Sequence, residues 1–140
     1  MFWFIITLFS MIFLHIVDDY YLQGILAKMK QKKWWNENAP DNMYKNDYIV
    51  ALIMHSFSWT FMIMLPAAAT IVFLKTGLAQ SIMYFFCFGF NWLIHAATDN
   101  AKANEGSINL IVDQAIHICQ IITTWSLVVM PALLVGLGLV

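Results

Sequence analysis

The 140-residue chain contains no arginine, so its positive side-chain charge rests on seven lysines. Charged residues make up only 11% of the sequence and hydrophobic ones 61%, whereas about a quarter of a soluble domain is charged. That deficit excludes an ordinary water-soluble surface and predicts a membrane protein. The net charge of −1 is small and carries no information about nucleic acid, which is not among the expected partners. The two cysteines, Cys87 and Cys119, lie inside apolar runs without Cys-x-x-Cys spacing, which excludes a disulfide framework and a thiolate zinc site. The first apolar run lacks a basic flank before it and a small-x-small cleavage site, and reads as a retained helix rather than a cleaved signal.

Long apolar runs are abundant. A bilayer core needs about 20 apolar residues per helix, and four segments qualify, at about 2–22, 48–74, 78–101 and 108–129. The expected fold is all-α, a single membrane domain over 1–140 built as a four-transmembrane-helix bundle. Residues 24–47 form the one sizeable loop, with lysines, a tryptophan pair and a polar stretch around Pro40 that cannot continue as regular helix. Lys75 and Gly77 turn the second helix into the third, and Asn104 to Gly106 turn the third into the fourth, with Ser107 as the expected N-cap. Pro66 and Pro131 are expected kinks, Pro131 also marking the end of the last regular span. Lys28, Lys30, Lys32, Lys33, Lys45 and Lys102 fall on one side, Lys75 alone on the other. The positive-inside rule therefore makes the loops at 24–47 and 102–107 cytoplasmic and puts both termini outside, in a bacterial inner membrane.

Against this apolar background the stretch LHIVDDYYLQ is anomalous. All four histidines lie in apolar segments, and three have an aspartate four residues away: His15 with Asp19, His95 with Asp99, His117 with Asp113. That spacing puts imidazole and carboxylate on one helix face. His55 lacks such a partner. Further steps of four add Gln23, Asn91 and Asn109 to the same seams, with Asp18 and Gln114 beside them. At 1.5 Å per residue, His15 lies about 12 Å from Gln23, His55 about 10 Å from Tyr48, His95 about 10 Å from Lys102, and Asp113 and His117 about 8 and 14 Å from Ile108. The histidines are thus expected in one layer near the cytoplasmic side.

Ionisable groups in hydrocarbon cost several kcal/mol and persist where they face a bundle interior and find partners. Interhelical hydrogen bonding alone is worth on average about 0.6 kcal/mol, and it does not require every histidine of the chain to converge. Imidazole and carboxylate without thiolate are the ligand set of zinc, manganese or iron. The expected centre is one or two divalent ions, zinc first, drawn from His15, Asp19, His55, His95, Asp99, Asp113 and His117, with Asp99 or Asp113 as catalytic base. Asp18, Gln23, Asn91, Asn109 and Gln114 are expected to support the ligands. Lys28, Lys30, Lys32 and Lys33 offer an anionic-lipid contact worth about 1 kcal/mol each near the surface.

The ordered series HIVDDYYLQ, the lone His55, HAATD at 95–99 and DQAIH at 113–117 resembles the bacterial and phage membrane proteins grouped as domain of unknown function 3307. The resemblance runs over about 14–117. It implies a small multi-helix membrane protein whose polar intramembrane residues match His15, Asp19, Gln23, His55, His95, Asp99, Asp113, Gln114 and His117, and it assigns no activity. A looser similarity is to bacterial inner-membrane metal-dependent hydrolases, which also carry histidine and aspartate on apolar helices.

The leading expectation is a metal-dependent hydrolase acting at the inner leaflet on a lipid-linked or phosphoester substrate. A small proton- or metal-coupled transporter, requiring a homo-oligomer for a transport path, is the alternative. A third is a non-catalytic phage or host membrane factor with a structural polar or metal core.

Overall fold

Apolar runs of this length satisfy their own backbone in a bilayer only as helices. The computed structural model describes residues 2–138, and no strand occurs among the described residues. Helix α1 (Phe2–Ile16) passes directly into a π-helical turn, Val17–Leu22. Gly24 then turns the chain at φ +49°, a conformation a glycine adopts without strain. The segment expected as loop carries two short helices, α2 (Leu26–Met29) and α3 (Lys32–Asn38), and a 3-10 turn (Asn42–Tyr44), while residues 39–41 around Pro40 stay irregular.

Helix α4 (Asp47–Leu74) runs unbroken through Pro66. Lys75 closes it in the left-handed region at φ 50°. Helix α5 (Leu78–Asn100) continues as a second π turn, Ala101–Glu105, which ends at Gly106. Helix α6 (Leu110–Thr124) begins two residues later than expected. Its N-cap is Asn109, whose side chain accepts from Val112 N–H; Ser107, expected in that role, instead donates its hydroxyl to Ala101 O. The expected end near 129 is also corrected. A third π turn, Trp125–Val129, leads into α7 (Met130–Gly136), and this wider turn accommodates Pro131, which has no N–H to give.

Among the described residues three helical stretches are long and apolar enough to cross a membrane: Phe2–Leu22, Asn42–Leu74 and Leu110–Gly136, with mean hydropathies of 1.7, 1.9 and 2.0. The fourth expected span, α5, has the length, at 23 residues, but Gln80, Ser81, Asn91 and His95 dilute its apolar character. Exposed Phe9, Phe13, Phe73, Phe85 and Ile111 give the outer surface the apolar character that lipid requires.

Helix α4 packs against α1, α5 and α7, and α6 closes onto α1 and α5. The apolar core is built from Met11, Trp59, Ile63, Met64, Ile121 and Val128. Met11, Trp59 and Ile121 lie four residues from His15, His55 and His117, so core and histidines occupy adjacent turns of the same faces.

At the other end, α7 and α4 approach closely: a Cβ on Gly136 would lie 2.7 Å from Leu74 Cβ, whereas one on Gly89 would meet nothing within 4 Å. Gly136→Ala is expected to cost about 1–3 kcal/mol through overpacking, and Gly89→Ala to be neutral or slightly stabilising. Thermal unfolding in detergent followed by tryptophan fluorescence checks this; equal midpoints for the two variants would contradict the close approach.

Candidate functional site

Adjacent side chains on a helix diverge by about 100°, an angle that a wide inner face still buries in pairs, as it does His55 and Ser56 on α4. The π turn at Val17–Leu22 widens the register, and both carboxylates are buried. Asp18 Oδ1 accepts from Ser58 Oγ at 2.6 Å, and its Oδ2 faces His55 Nδ1 at 3.9 Å. Asp19 Oδ2 accepts from Gln114 Nε2 at 2.9 Å, while Oδ1 accepts from Gln23 at 3.3 Å and lies 3.5 Å from His55 Nε2.

The four histidines come together around Trp59. Its indole stacks on His95 at 4.1 Å between centroids, and His95 stacks on His117 at 4.2 Å. His55 lies 5.1 Å from His95, and His15 5.8 Å from His117. All four rings are buried.

Hydrogen bonds fix two of the rings in opposite senses. Trp59 Nε1–H donates to His15 Nδ1 at 2.8 Å, so the proton of this neutral imidazole sits on Nε2 and is donated to Gln114 Oε1 at 3.1 Å. His15 therefore has no free lone pair. The Gln114 amide in turn donates to Asp19 Oδ2 and, at 3.0 Å, to Asp113 Oδ2. At His117 the order reverses. Gln120 commits its NH2 to Asn91 O and Oδ1, turning its Oε1 toward His117 Nδ1 at 3.3 Å. The proton is thus on Nδ1, and Nε2 presents a bare lone pair 3.5 Å from Asp113 Oδ1.

Two groups of three have ligand atoms within 4.8 Å of one another: Asp19, His55 and His95, and His95, Asp99 and His117. His95 belongs to both. His15 and Asp113, also expected as ligands from their spacing, stand outside both groups. Among the expected supporting residues, Asn91 is buried and bonds Thr124 Oγ1 at 2.7 Å, while Gln23, Gln114 and Asp18 touch the cluster as described. Asn109 does not: it is exposed and serves α6 as its cap.

Two lysines complete the site, and the spacing argument assigned neither to it. Lys30 Nζ donates to Asp99 Oδ2 at 2.6 Å with its side chain buried, so of the four lysines expected to meet lipid this one points inward. Asn104 pins its segment, donating to Lys30 O at 3.0 Å and accepting from Lys32 N at 2.7 Å. Lys102 Nζ bonds Asp113 Oδ2 at 2.5 Å and lies 3.8 Å from Asp99 Oδ1. Burial disfavours the Lys102 ammonium, but the Asp113 hydrogen bond and Asp99 outweigh it and raise its pKa above the ordinary lysine value. Trp59 and Gln120 were also missed, although each sits at helical spacing from a histidine: i+4 from His55 and i+3 from His117. Lys102, i+3 from Asp99, was legible by the same rule. Lys30, in the turn just after α2 and distant in sequence, was not.

The donors fit a divalent ion in two respects. Buried His55 Nδ1, His95 Nδ1, Asp99 Oδ1, Asp113 Oδ1 and His117 Nε2 have no hydrogen-bond partner, and leaving buried polar atoms unsatisfied is costly. With carboxylates ionised and imidazoles neutral, Asp18, Asp19, Asp99 and Asp113 face only Lys30 and Lys102. In that protonation state one divalent cation would balance the two remaining negative charges, as would two added protons on the buried carboxylates and imidazoles. Comparison with protein-family models, curated proteins and solved structures returned no match.

Removing the Lys30 charge leaves Asp99 buried beside one fewer cation. Lys30→Met is expected to destabilise the metal-free protein by about 3–5 kcal/mol, with Asp99→Asn restoring part of the loss in the double variant. Thermal unfolding of the four-member cycle in detergent measures the coupling; additive effects would mean that the pair contributes nothing.

Proposed function

We propose that the chain is an integral membrane protein crossing four times, with a polar His/Asp layer near the cytoplasmic side that holds a divalent metal, and that it is a metal-dependent hydrolase working at the inner leaflet. The observation that carries this reading is the pair of buried ligand groups sharing His95. Their nitrogen and oxygen donors suit zinc best, with manganese or iron served by the same set. Membership of the domain of unknown function 3307 family is part of the proposal and rests on the ordered His/Asp series.

A neutral imidazole offers one lone pair, so His95 ligates one ion at a time, and one ion per chain is the expected occupancy. Asp19, His55, His95, Asp99 and His117 are the ligand set. A bound ion would supply Lewis acidity toward a phosphoryl or carbonyl oxygen and acidity to water. The chain supplies the rest. Asp113, outside both ligand groups, has Oδ2 held by Lys102 and Gln114 and Oδ1 without a partner, placing it to accept a proton as general base. Asp99, the other expected base, is occupied by Lys30 and serves as ligand. His15 acts through Gln114, holding its amide toward Asp19 and Asp113. Asp18, anchored by Ser58, faces His55 Nδ1 and orients that ring.

One observation favours a second reading. Two ligand groups sharing a single lone pair are alternative seats for one ion, an arrangement that also suits an ion in transit.

Elemental analysis of detergent-purified protein tests the metal directly. Wild type is expected to carry about one ion per chain, His95→Ala none, and His15→Ala nearly the wild-type amount. No metal in folded wild type would overturn the reading and leave a proton path or a structural core. Turnover of phosphoesters in detergent, set against ion flux in proteoliposomes, separates hydrolase from transporter.

A further inference from the structure

A cavity of 630 Å³ between α1, α4 and α7 is apolar and has no histidine in its lining. Two smaller ones are different in kind. A polar cleft of 340 Å³ is lined by Asp19, Gln23, Lys102 and Gln114, and a mainly apolar one of 450 Å³ by Ile12, Ile16 and Ile118 together with His15. Both are bounded by Tyr20, Tyr21 and Gln114, so together they form one groove along the lateral seam of α1 and α6. Its polar end opens onto a ligand of the metal group and onto an ammonium whose side chain is 25% exposed. Its apolar end runs along the surface that meets the hydrocarbon.

We propose that this groove binds a lipid bearing a phosphate headgroup, with the phosphoryl group at Asp19 and Lys102 and the chain along Ile12, Ile16 and Ile118. The inference rests on the metal centre proposed above, because the Asp19 carboxylate repels an anion unless a cation sits on it. With the ion in place, the polar end presents two cations to the phosphoryl oxygens, metal and Lys102. The Gln114 and Gln23 amides lie beside them, and exposed Tyr20 and Tyr21 stand at the headgroup level that such rings favour. A free oxyanion would use the polar end alone. The apolar trough is what commits the groove to a lipid, since each methylene buried there adds to affinity. The groove is separate from the Lys28–Lys33 cluster, of which Lys30 alone is turned inward while Lys28, Lys32 and Lys33 stay exposed.

Binding of dodecyl phosphate and of inorganic phosphate to zinc-loaded protein, in a neutral detergent by calorimetry, tests the proposal. Dodecyl phosphate is expected to bind at least about tenfold more tightly than inorganic phosphate. Ile118→Trp, which fills the trough at a half-buried position that is not itself a proposed ligand, should erase that advantage while leaving metal content and inorganic phosphate affinity intact. Lys102→Gln should weaken both anions. Equal affinities for the two phosphates, or an unchanged preference in Ile118→Trp with metal retained, would overturn the lipid site and leave the metal centre standing. Absence of metal from folded wild type would overturn both.

Discussion

Charge buried in a medium that cannot solvate it must be neutralised by other groups of the chain, and the arrangement of this protein follows from that constraint. Four aspartates lie in the interior. Lys30 reaches in from the turn after α2 to Asp99, and Lys102 from the π turn after α5 to Asp113. Asp19 and Asp18 take neutral donors, Gln114, Gln23 and Ser58. Each partner comes from a different part of the chain, so satisfying the carboxylates also fixes how the short helices dock on the long ones.

The same constraint shapes the histidines. Trp59 and Gln114 consume both nitrogens of His15, whereas Gln120, oriented by Asn91, accepts from Nδ1–H of His117 and leaves Nε2 bare. One ring therefore has both nitrogens engaged and the other a free lone pair, though both stand four residues from an aspartate. Pre-setting the tautomers removes a reorganisation that ligand binding would otherwise require. The π turns contribute similarly: the first holds two adjacent buried aspartates, and the second carries Lys102 back toward the cluster.

The helical character, the turns near Lys75 and Gly106 and the convergence of His15, His55, His95 and His117 were legible because period and apolar length are local properties. What depended on long-range docking was not. Lys30 looked like a topology lysine because nothing near it in sequence reveals Asp99, 69 residues away. Spacing left Asp18, three residues from His15, between the seam and the surface, and its bond to Ser58, 40 residues away, is what turns it inward. Asn109 kept the right spacing but fell at a helix start, where its side chain caps the backbone instead of joining the seam. The end of the last helix was misplaced because a proline reads as a stop, while the preceding π turn absorbs it.

X-ray absorption at the zinc edge of the metal-loaded protein addresses the central claim most directly. The account predicts a first shell of nitrogen and oxygen at about 2.0–2.2 Å with imidazole multiple scattering, and no scatterer at the sulfur distance of about 2.3 Å. A sulfur contribution, or a shell of oxygen alone without imidazole, would contradict a centre built on His55, His95 and His117.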